Sequence, residues 1–207
     1  MPDVASSLPT PGAVLDYWIG AATDDHLIAN RQHKLWFTKS AATDAFITNQ
    51  FSTLHTALLN GLADVWAQKG ARARLAAILV LDQFSRNMFR GTPRAFEADP
   101  VALVLAWKGV KAGDDRHLSE IERSFFYLPF EHSEAIDDQK QSVRLFQHLV
   151  AEARPAFQPI STRSLDYAER HMDVIQRFGR FPHRNATLQR ENTLEEAEYL
   201  SKPGAGF

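Results

Sequence analysis

The chain has 207 residues, with 23 lysines and arginines against 25 aspartates and glutamates, and it contains no cysteine. Its length predicts one domain over residues 1–207, with residues 1–10 and 202–207 as loose tails. The lack of a basic excess argues against nucleic acid as a partner, and the lack of cysteine excludes disulfides, thiolate metal ligands and thiol catalysis.

Membrane and export signals are not evident in the sequence. Residues 1–11 lack the basic stretch and apolar core of a signal peptide. No run approaches the roughly 18 apolar residues that a spanning helix needs. We therefore expect a cytoplasmic protein with no membrane partner, whose oligomeric state the sequence does not indicate.

The first half of the chain has helical patterns. Thr10-Pro11 is typical of a helix start, and Gly20 can end that helix. A second apolar stripe recurs at steps of three or four and can bend at Asn60-Gly61. Its members are Ile47, Phe51, Leu54, Leu58, Leu62 and Trp66. Residues 75–81 are apolar on every side; a buried strand would give the same short run, but the helical neighbours favour a buried helix.

The second half has clearer helix boundaries. Thr92-Pro93 and Asp99-Pro100 repeat the cap-then-proline pattern, and capping boxes begin at Ser119 and Thr193. We expect Pro129 to stop the helix that Ser119 opens. Two further amphipathic stretches end before Pro155 and at Gly179. With no alternating strand pattern, the predicted class is all-α, built from antiparallel helix pairs.

Three polar segments follow apolar stretches and hold most residue types from which a site could be built. They are Leu81-Asp82-Gln83-Phe84-Ser85-Arg86-Asn87, Pro129-Phe130-Glu131-His132-Ser133-Glu134, and Phe178-Gly179-Arg180-Phe181-Pro182-His183-Arg184-Asn185. Helical spacing puts Asp82 on an apolar face, where Arg86 at i+4 can pair with it. Gln139 lies on the stripe of the following helix, so its amide needs a polar neighbour such as the 131–134 turn.

The second and third segments each have a chemical and a structural interpretation. His132 could act as a general base with Glu134 orienting it, or the acidic residues of that turn could simply cap the next helix. Arg180 and Arg184, in a rigid loop with Pro182, could bind phosphate or carboxylate, or could pair with carboxylates to tie helices together. His171 is interpreted as a hydrogen-bonded core histidine.

Sequence spacing does not support a metal or cofactor site. There is no His-Glu-x-x-His pattern, no Gly-x-Ser-x-Gly and no Gly-x-x-x-x-Gly-Lys. We therefore predict no metal and no cofactor.

The three motifs, with their order and spacing, resemble the bacterial domain-of-unknown-function family nine-two-four from about Val14 to Leu200. The resemblance implies a compact, tetratricopeptide-like α-α superhelix and implies no activity. One departure is Leu188-Gln189-Arg190, where the family tends to have Leu-Gly-Arg, which puts a glycine-dependent turn there in question.

Together, these patterns predict a helical-array protein that binds an anionic small molecule or peptide in a polar cleft lined by the three segments. The candidate ligand-binding residues are Asp82, Arg86, Asn87, Arg180, Arg184 and Asn185. One alternative is a hydrolase-like acid/base enzyme, for which the candidate catalytic residues are His132, Glu134 and His183. The other alternative is that the segments form only an internal structural network.

Overall fold

The computed structural model describes residues 8–206, and this part of the chain is all-α, with eleven α-helices and no strand. The helices are α1 (Pro11–Trp18), α2 (His26–Phe37), α3 (Ala41–Ala57), α4 (Ala63–Ala67), α5 (Ala71–Ile78), α6 (Ser85–Met88), α7 (Asp99–Ala112), α8 (Glu120–Glu131), α9 (Ile136–Glu152), α10 (Gln158–Phe178) and α11 (Leu194–Leu200). This confirms the predicted class. The tetratricopeptide-like arrangement stays a prediction from the family resemblance.

Local cap chemistry defines several helix ends. The Thr10 hydroxyl accepts a hydrogen bond from the Ala13 amide and begins α1. Ser119 and Thr193 form the two predicted capping boxes, each with the glutamate three residues later. Gly179 adopts a left-handed conformation, with φ of 69°, and ends α10. Because these helix ends need no contact with distant residues, the sequence signals were sufficient to predict them.

The buried centre of the molecule is α5 and its continuation. Every side chain from Leu75 to Leu81 is fully buried, and α1, α4, α7 and α8 all pack against this helix. After Ile78 the helix widens into a π-helical turn over Leu79–Phe84 and then continues as α6. The first polar segment therefore lies in a helix that is surrounded on all sides.

Three expectations about the helices were incomplete or wrong. α2 was not anticipated, because its composition is mostly polar and only Ala29 is buried. Pro129 does not stop α8, which continues to Glu131; proline removes only its own amide donor, so the last turn can still form. Neither Thr92 nor Asp99 caps a helix with its side chain.

The predicted terminal tails fall partly outside the described residues, which exclude residues 1–7 and 207. Within the described part, Thr10 caps α1 and the Gly206 amide approaches the Tyr199 hydroxyl at 3.4 Å. No helix in residues 8–206 combines the length and apolar character needed to cross a membrane.

The turn at Leu188-Gln189-Arg190 forms without glycine. Gln189 has φ of 56°, the left-handed region that L side chains rarely adopt. The Arg190 amide closes the turn by donating to the Asn185 carbonyl at 2.8 Å. The chain therefore keeps the turn and accepts the local strain of a side chain at this position.

Candidate functional site

Asp82 is the innermost residue of the candidate site and is 0% exposed. The π-helical turn directs its carboxylate towards the end of α8. There His132 Nδ1 lies 2.7 Å from Oδ1, and Gln83 Nε2 donates to Oδ2 at 2.6 Å. Burial opposes ionisation of Asp82, but the charge of Arg86 and the contact with His132 outweigh it and hold its pKa well below the usual range.

A second carboxylate, Asp99, joins two arginines from different parts of the chain. Arg86 donates to both of its oxygens, from Nη1 at 2.9 Å and from Nη2 at 3.0 Å. The same Arg86 Nη1 lies 3.4 Å from the Asp82 carboxylate. Arg184 Nη1 lies 3.8 Å from Asp99, beyond hydrogen-bonding distance. A chain of contacts thus connects His132, through the two aspartates, to the third polar segment.

Arg184 is a buried cation with few partners. It is 7% exposed, and its guanidinium stands over the rings of Phe96 and Phe181 at 4.8 and 4.6 Å from their centroids. Its Nε is enclosed and has no hydrogen-bond partner within residues 8–206. Burial and the nearby charge of Arg86 lower the pKa of Arg184 to about 10. It therefore remains charged at neutral pH, and the described residues leave that charge poorly compensated.

His132 lies at the C-terminal end of α8 with its ring partly accessible, 15% exposed. Burial and the charge of Arg86 lower the pKa of His132, while Asp82 opposes that shift. At neutral pH its imidazole is therefore uncharged. Since an ionised carboxylate can only accept, Nδ1 donates to Asp82 and Nε2 is the unprotonated nitrogen.

A second histidine and carboxylate lie behind His132. The His171 ring is centred 6.3 Å from that of His132, and its Nδ1 is 2.8 Å from the Tyr167 carbonyl and 3.2 Å from Glu131 Oε1. Burial, and then the charge of Asp82, raise the pKa of Glu131 to about 8. Burial lowers the pKa of His171 to about 2. Both groups are consequently uncharged at neutral pH.

Gln139 holds the end of α8 that carries His132. It is fully buried, and its Nε2 donates to the carbonyls of Glu131 and Ser133 at 2.7 and 2.6 Å and, at 3.3 Å, to that of Phe130. The carbonyls of Phe130 and Glu131 are in the last turn of α8, where the helix supplies no i+4 amide donor, and that of Ser133 lies in the turn that follows. The polar neighbour expected for this amide is thus the turn immediately before α9.

Glu134 attaches the third segment to the turn between α8 and α9. It accepts two hydrogen bonds from Arg190, at 2.7 and 2.9 Å, and one from the Phe181 amide at 2.8 Å. The side chain therefore positions the loop that carries Arg184, and it is Asp82 that orients His132. Neighbouring His183 is largely buried; burial and the charge of Arg184 lower its pKa to about 4.

Three candidate ligand-binding residues are occupied elsewhere. Asn87 donates to Asp44 at 2.8 Å and ties the end of α6 to α3. Arg180 donates to both carboxylate oxygens of Glu196, at 2.6 and 2.8 Å. Fully buried Asn185 bonds Asn192 and Arg190. The structure brings together Asp82, Arg86 and Arg184 with His132, but it does not bring these three residues to the same place.

Sequence reasoning missed two residues at this site. Asp99 was interpreted as a helix cap from its position before Pro100, yet its carboxylate faces Arg86. Phe96 has no sequence signal for its contact with Arg184, because that contact joins segments almost 90 positions apart. Neither of two surface depressions, one lined by Arg123 and Tyr127 and the other by Arg180 and Glu196, lies at this site.

Groups that could hold a metal ion are absent from residues 8–206: no three histidine, aspartate or glutamate side chains are suitably clustered there. The close His132–Asp82 contact involves one imidazole and one carboxylate only. An imidazole with an unprotonated nitrogen can accept a proton, and a charged guanidinium can attract an anion.

Comparisons with known proteins give a family and no activity. The model of a bacterial protein family of unknown function, DUF924, matches residues 14–204. A solved structure of a protein of unknown function from Agrobacterium tumefaciens is similar, with 39% identity, a TM-score of 0.75 and coverage of 92% of this chain and 96% of that chain. No curated protein matches the chain. The matched region contains all three polar segments.

Proposed function

This protein belongs to the bacterial DUF924 family of unknown function, and we propose that it binds an anionic small molecule or an acidic peptide group through the guanidinium of Arg184. The supporting observation is that this buried guanidinium makes no hydrogen bond to any described residue, and that its one ionic contact among them is with Asp99 at 3.8 Å. A buried charge without hydrogen-bonded partners costs several kcal/mol. An anionic ligand would remove that cost.

The neighbouring charges support Arg184, and not Arg86, as the residue that receives the anion. Arg86 already uses two nitrogens on Asp99, so its charge is matched within the protein. Arg180 is likewise matched by Glu196. Of the three arginines among the candidate ligand-binding residues, we therefore assign the anion to Arg184, while Arg86 holds the carboxylate of Asp99 in place.

The surroundings of Arg184 favour contact of its guanidinium with an external anion over pairing with a group inside the protein. Neither Nη nitrogen makes a hydrogen bond to a residue of 8–206, and neither is among the fully enclosed unpartnered atoms of that range, so neither is sealed from solvent by it. The rings of Phe96 and Phe181 hold the guanidinium in one orientation. A guanidinium fixed in this way can offer two parallel donors to a carboxylate or phosphate with little loss of side-chain freedom.

The proposal is tested by calorimetric titration with inorganic phosphate and with succinate. Arg184→Gln is expected to weaken binding about tenfold or more, because a charge-assisted pair contributes roughly 1.5–3 kcal/mol. Arg180→Gln is the matched control, four residues away and bound to Glu196, and should bind within about twofold of the wild type. Equal affinity of Arg184→Gln and the wild type, or no binding of either anion, would overturn the proposal.

A stability measurement separates this proposal from the structural-network alternative. Without an anion, Arg184→Met should keep or raise the free energy of unfolding, because it removes an uncompensated buried charge. A purely structural Arg184 predicts the opposite, a loss of about 3 kcal/mol or more, as for breaking a buried pair. Urea unfolding of the two proteins in anion-poor buffer distinguishes these outcomes.

A further inference from the structure

His132 and Asp82 form a pair that anion binding does not require. The two atoms His132 Nδ1 and Asp82 Oδ1 are 2.7 Å apart, and the second carboxylate oxygen is held by Gln83. Asp82 thus sets both the tautomer and the orientation of the imidazole. No hydrogen bond joins Nε2 to any described residue, and the ring is partly accessible.

We infer that His132 is the general base of a hydrolytic site, acting on an ester bond in a substrate whose anionic group is bound by Arg184. The inference rests on the proposed function, because Arg184 supplies the attachment of the substrate. Asp82 acts as a positioning residue. It contacts neither water nor substrate and works through His132.

A buried histidine elsewhere in the chain provides a contrast. His55 Nε2 contacts the Ser85 hydroxyl at 2.8 Å, but His55 is 4% exposed and Ser85 is 0% exposed. That pair is closed to any substrate, and its hydroxyl also donates to the Leu81 carbonyl. His132 differs because its carboxylate partner, Asp82, is fully buried and its Nε2 forms no hydrogen bond within the described part of the chain.

The charges around His132 suit a base that works at neutral pH. The groups that interact with it come from four places: the helix of the first segment, α7, α10 and the third segment. They are Asp82, Arg86, Asp99, His171 and His183. Glu131 precedes it on α8, and Arg184 is connected to it through Asp99, Arg86 and Asp82. Burial and Arg86 favour the neutral imidazole, and the carboxylate of Asp82 stabilises the imidazolium that forms during the reaction.

The reaction needs only water as a co-reactant. His132 Nε2 takes a proton from a water molecule while the water oxygen forms a bond to the ester carbonyl carbon. The carbonyl electron pair moves to oxygen, returns, and breaks the bond to the alcohol oxygen, which takes the proton back from Nε2. The products are a carboxylic acid and an alcohol, and the base is regenerated.

The test uses two chromogenic esters, mono-p-nitrophenyl succinate with a free carboxylate and neutral p-nitrophenyl acetate. The wild type should release p-nitrophenol faster from the anionic ester. His132→Gln should lower kcat/KM about 100-fold or more, the usual contribution of a general base. Its affinity for inorganic phosphate should stay within about threefold. His148→Gln, an exposed histidine, controls for non-specific ester cleavage by surface imidazoles.

Asp82 is tested through the pH profile of kcat/KM. Asp82→Asn should move the acid limb of the profile to lower pH, because the imidazolium loses the carboxylate that stabilises it. Asp82→Glu should move the limb part of the way back. If Asp82 were merely structural, its substitution would change the rate without changing the pH of the acid limb. If Asp82→Asn fails to fold, the rate measured for His132→Gln still tests whether His132 is the general base. No release above the buffer rate, or equal release by wild type and His132→Gln, would overturn the hydrolytic inference. Anion binding by Arg184 would then still be tested separately, by the calorimetric titration with phosphate and succinate.

Discussion

Glu131 is a carboxyl group that the fold keeps protonated at neutral pH. Burial and the charge of Asp82 raise its pKa to about 8, well above that of an exposed glutamate. Between roughly pH 4.5 and 8 the unfolded chain loses this proton while the folded protein retains it. The folded state then binds more protons, so stability falls as pH rises through this window.

Glu131→Gln is expected to remove that pH dependence. The amide has a similar volume and does not titrate, so the variant should gain stability relative to the wild type as pH rises from 5 to 8. The largest slope of this difference is about 1.3 kcal/mol per pH unit. Urea unfolding at pH 5, 6, 7 and 8 measures it. A difference that does not change with pH would show that Glu131 ionises in the folded protein.

Burial of individual polar residues could be predicted where the signal lies on one helix. Asp82 and Gln139 were expected on apolar faces from their spacing, and both are fully buried. Their partners could not all be predicted in the same way. Arg86 at i+4 of Asp82 is local, but His132 is 50 positions away and reaches Asp82 only through packing of α8 against the first segment.

At the scale of elements, the turn after the third segment has a measurable strain. Gln189 is left-handed, which costs an L residue roughly 1–2 kcal/mol, whereas glycine adopts this conformation freely. Gln189→Gly should therefore raise the free energy of unfolding. We expect a gain of about 0.5 kcal/mol after the greater freedom of glycine in the unfolded chain is subtracted.

The same substitution inside a helix gives the matched control. Gln147 is exposed within α9, and Gln147→Gly should lower the free energy of unfolding by about 1 kcal/mol. Thermal and urea unfolding of both variants test the pair. A loss of stability in Gln189→Gly would contradict the assignment of strain to this turn.

Helix ends were predictable where neighbours in sequence determine them and not where distant partners do. The capping boxes at Ser119 and Thr193 formed as expected, because hydroxyl and carboxylate satisfy amides within four residues. Asp99 precedes a proline in a pattern that also predicts a helix cap, but its side chain bonds to Arg86 on another element. Whether an aspartate caps a helix or pairs with an arginine thus depends on a distant partner that the sequence pattern does not reveal.

At the scale of the whole molecule, one arginine attaches the C-terminal segments to the body of the protein. Arg190 bonds both oxygens of Glu134, the Phe181 carbonyl and the Asn185 side chain. Phe181 belongs to a small apolar cluster with Val174 and Ile175, separate from the main core. The loop that carries Arg184 thus depends on polar contacts more than on a large buried apolar surface.

Arg190→Gln should loosen that region without unfolding the molecule. Amides of residues 181–200 should exchange hydrogen about tenfold faster, whereas those of α5 should not change, because local opening and global unfolding are separate events. Phosphate affinity should fall at the same time. Arg177→Gln, which removes a surface pair with Glu195, is the control. Faster exchange in α5 would instead indicate global destabilisation.

Because of the π-helical turn at Leu79–Phe84, the contacts of the first segment depend more on the number of residues in the turn than on their identity. One residue corresponds to about 100° of rotation around a helix. A single deletion within the turn would therefore swing Arg86 away from Asp99 by that angle, while leaving every remaining side chain chemically unchanged. Among relatives, variation in this stretch should consequently take the form of replacements, with insertions and deletions confined to the loops outside it.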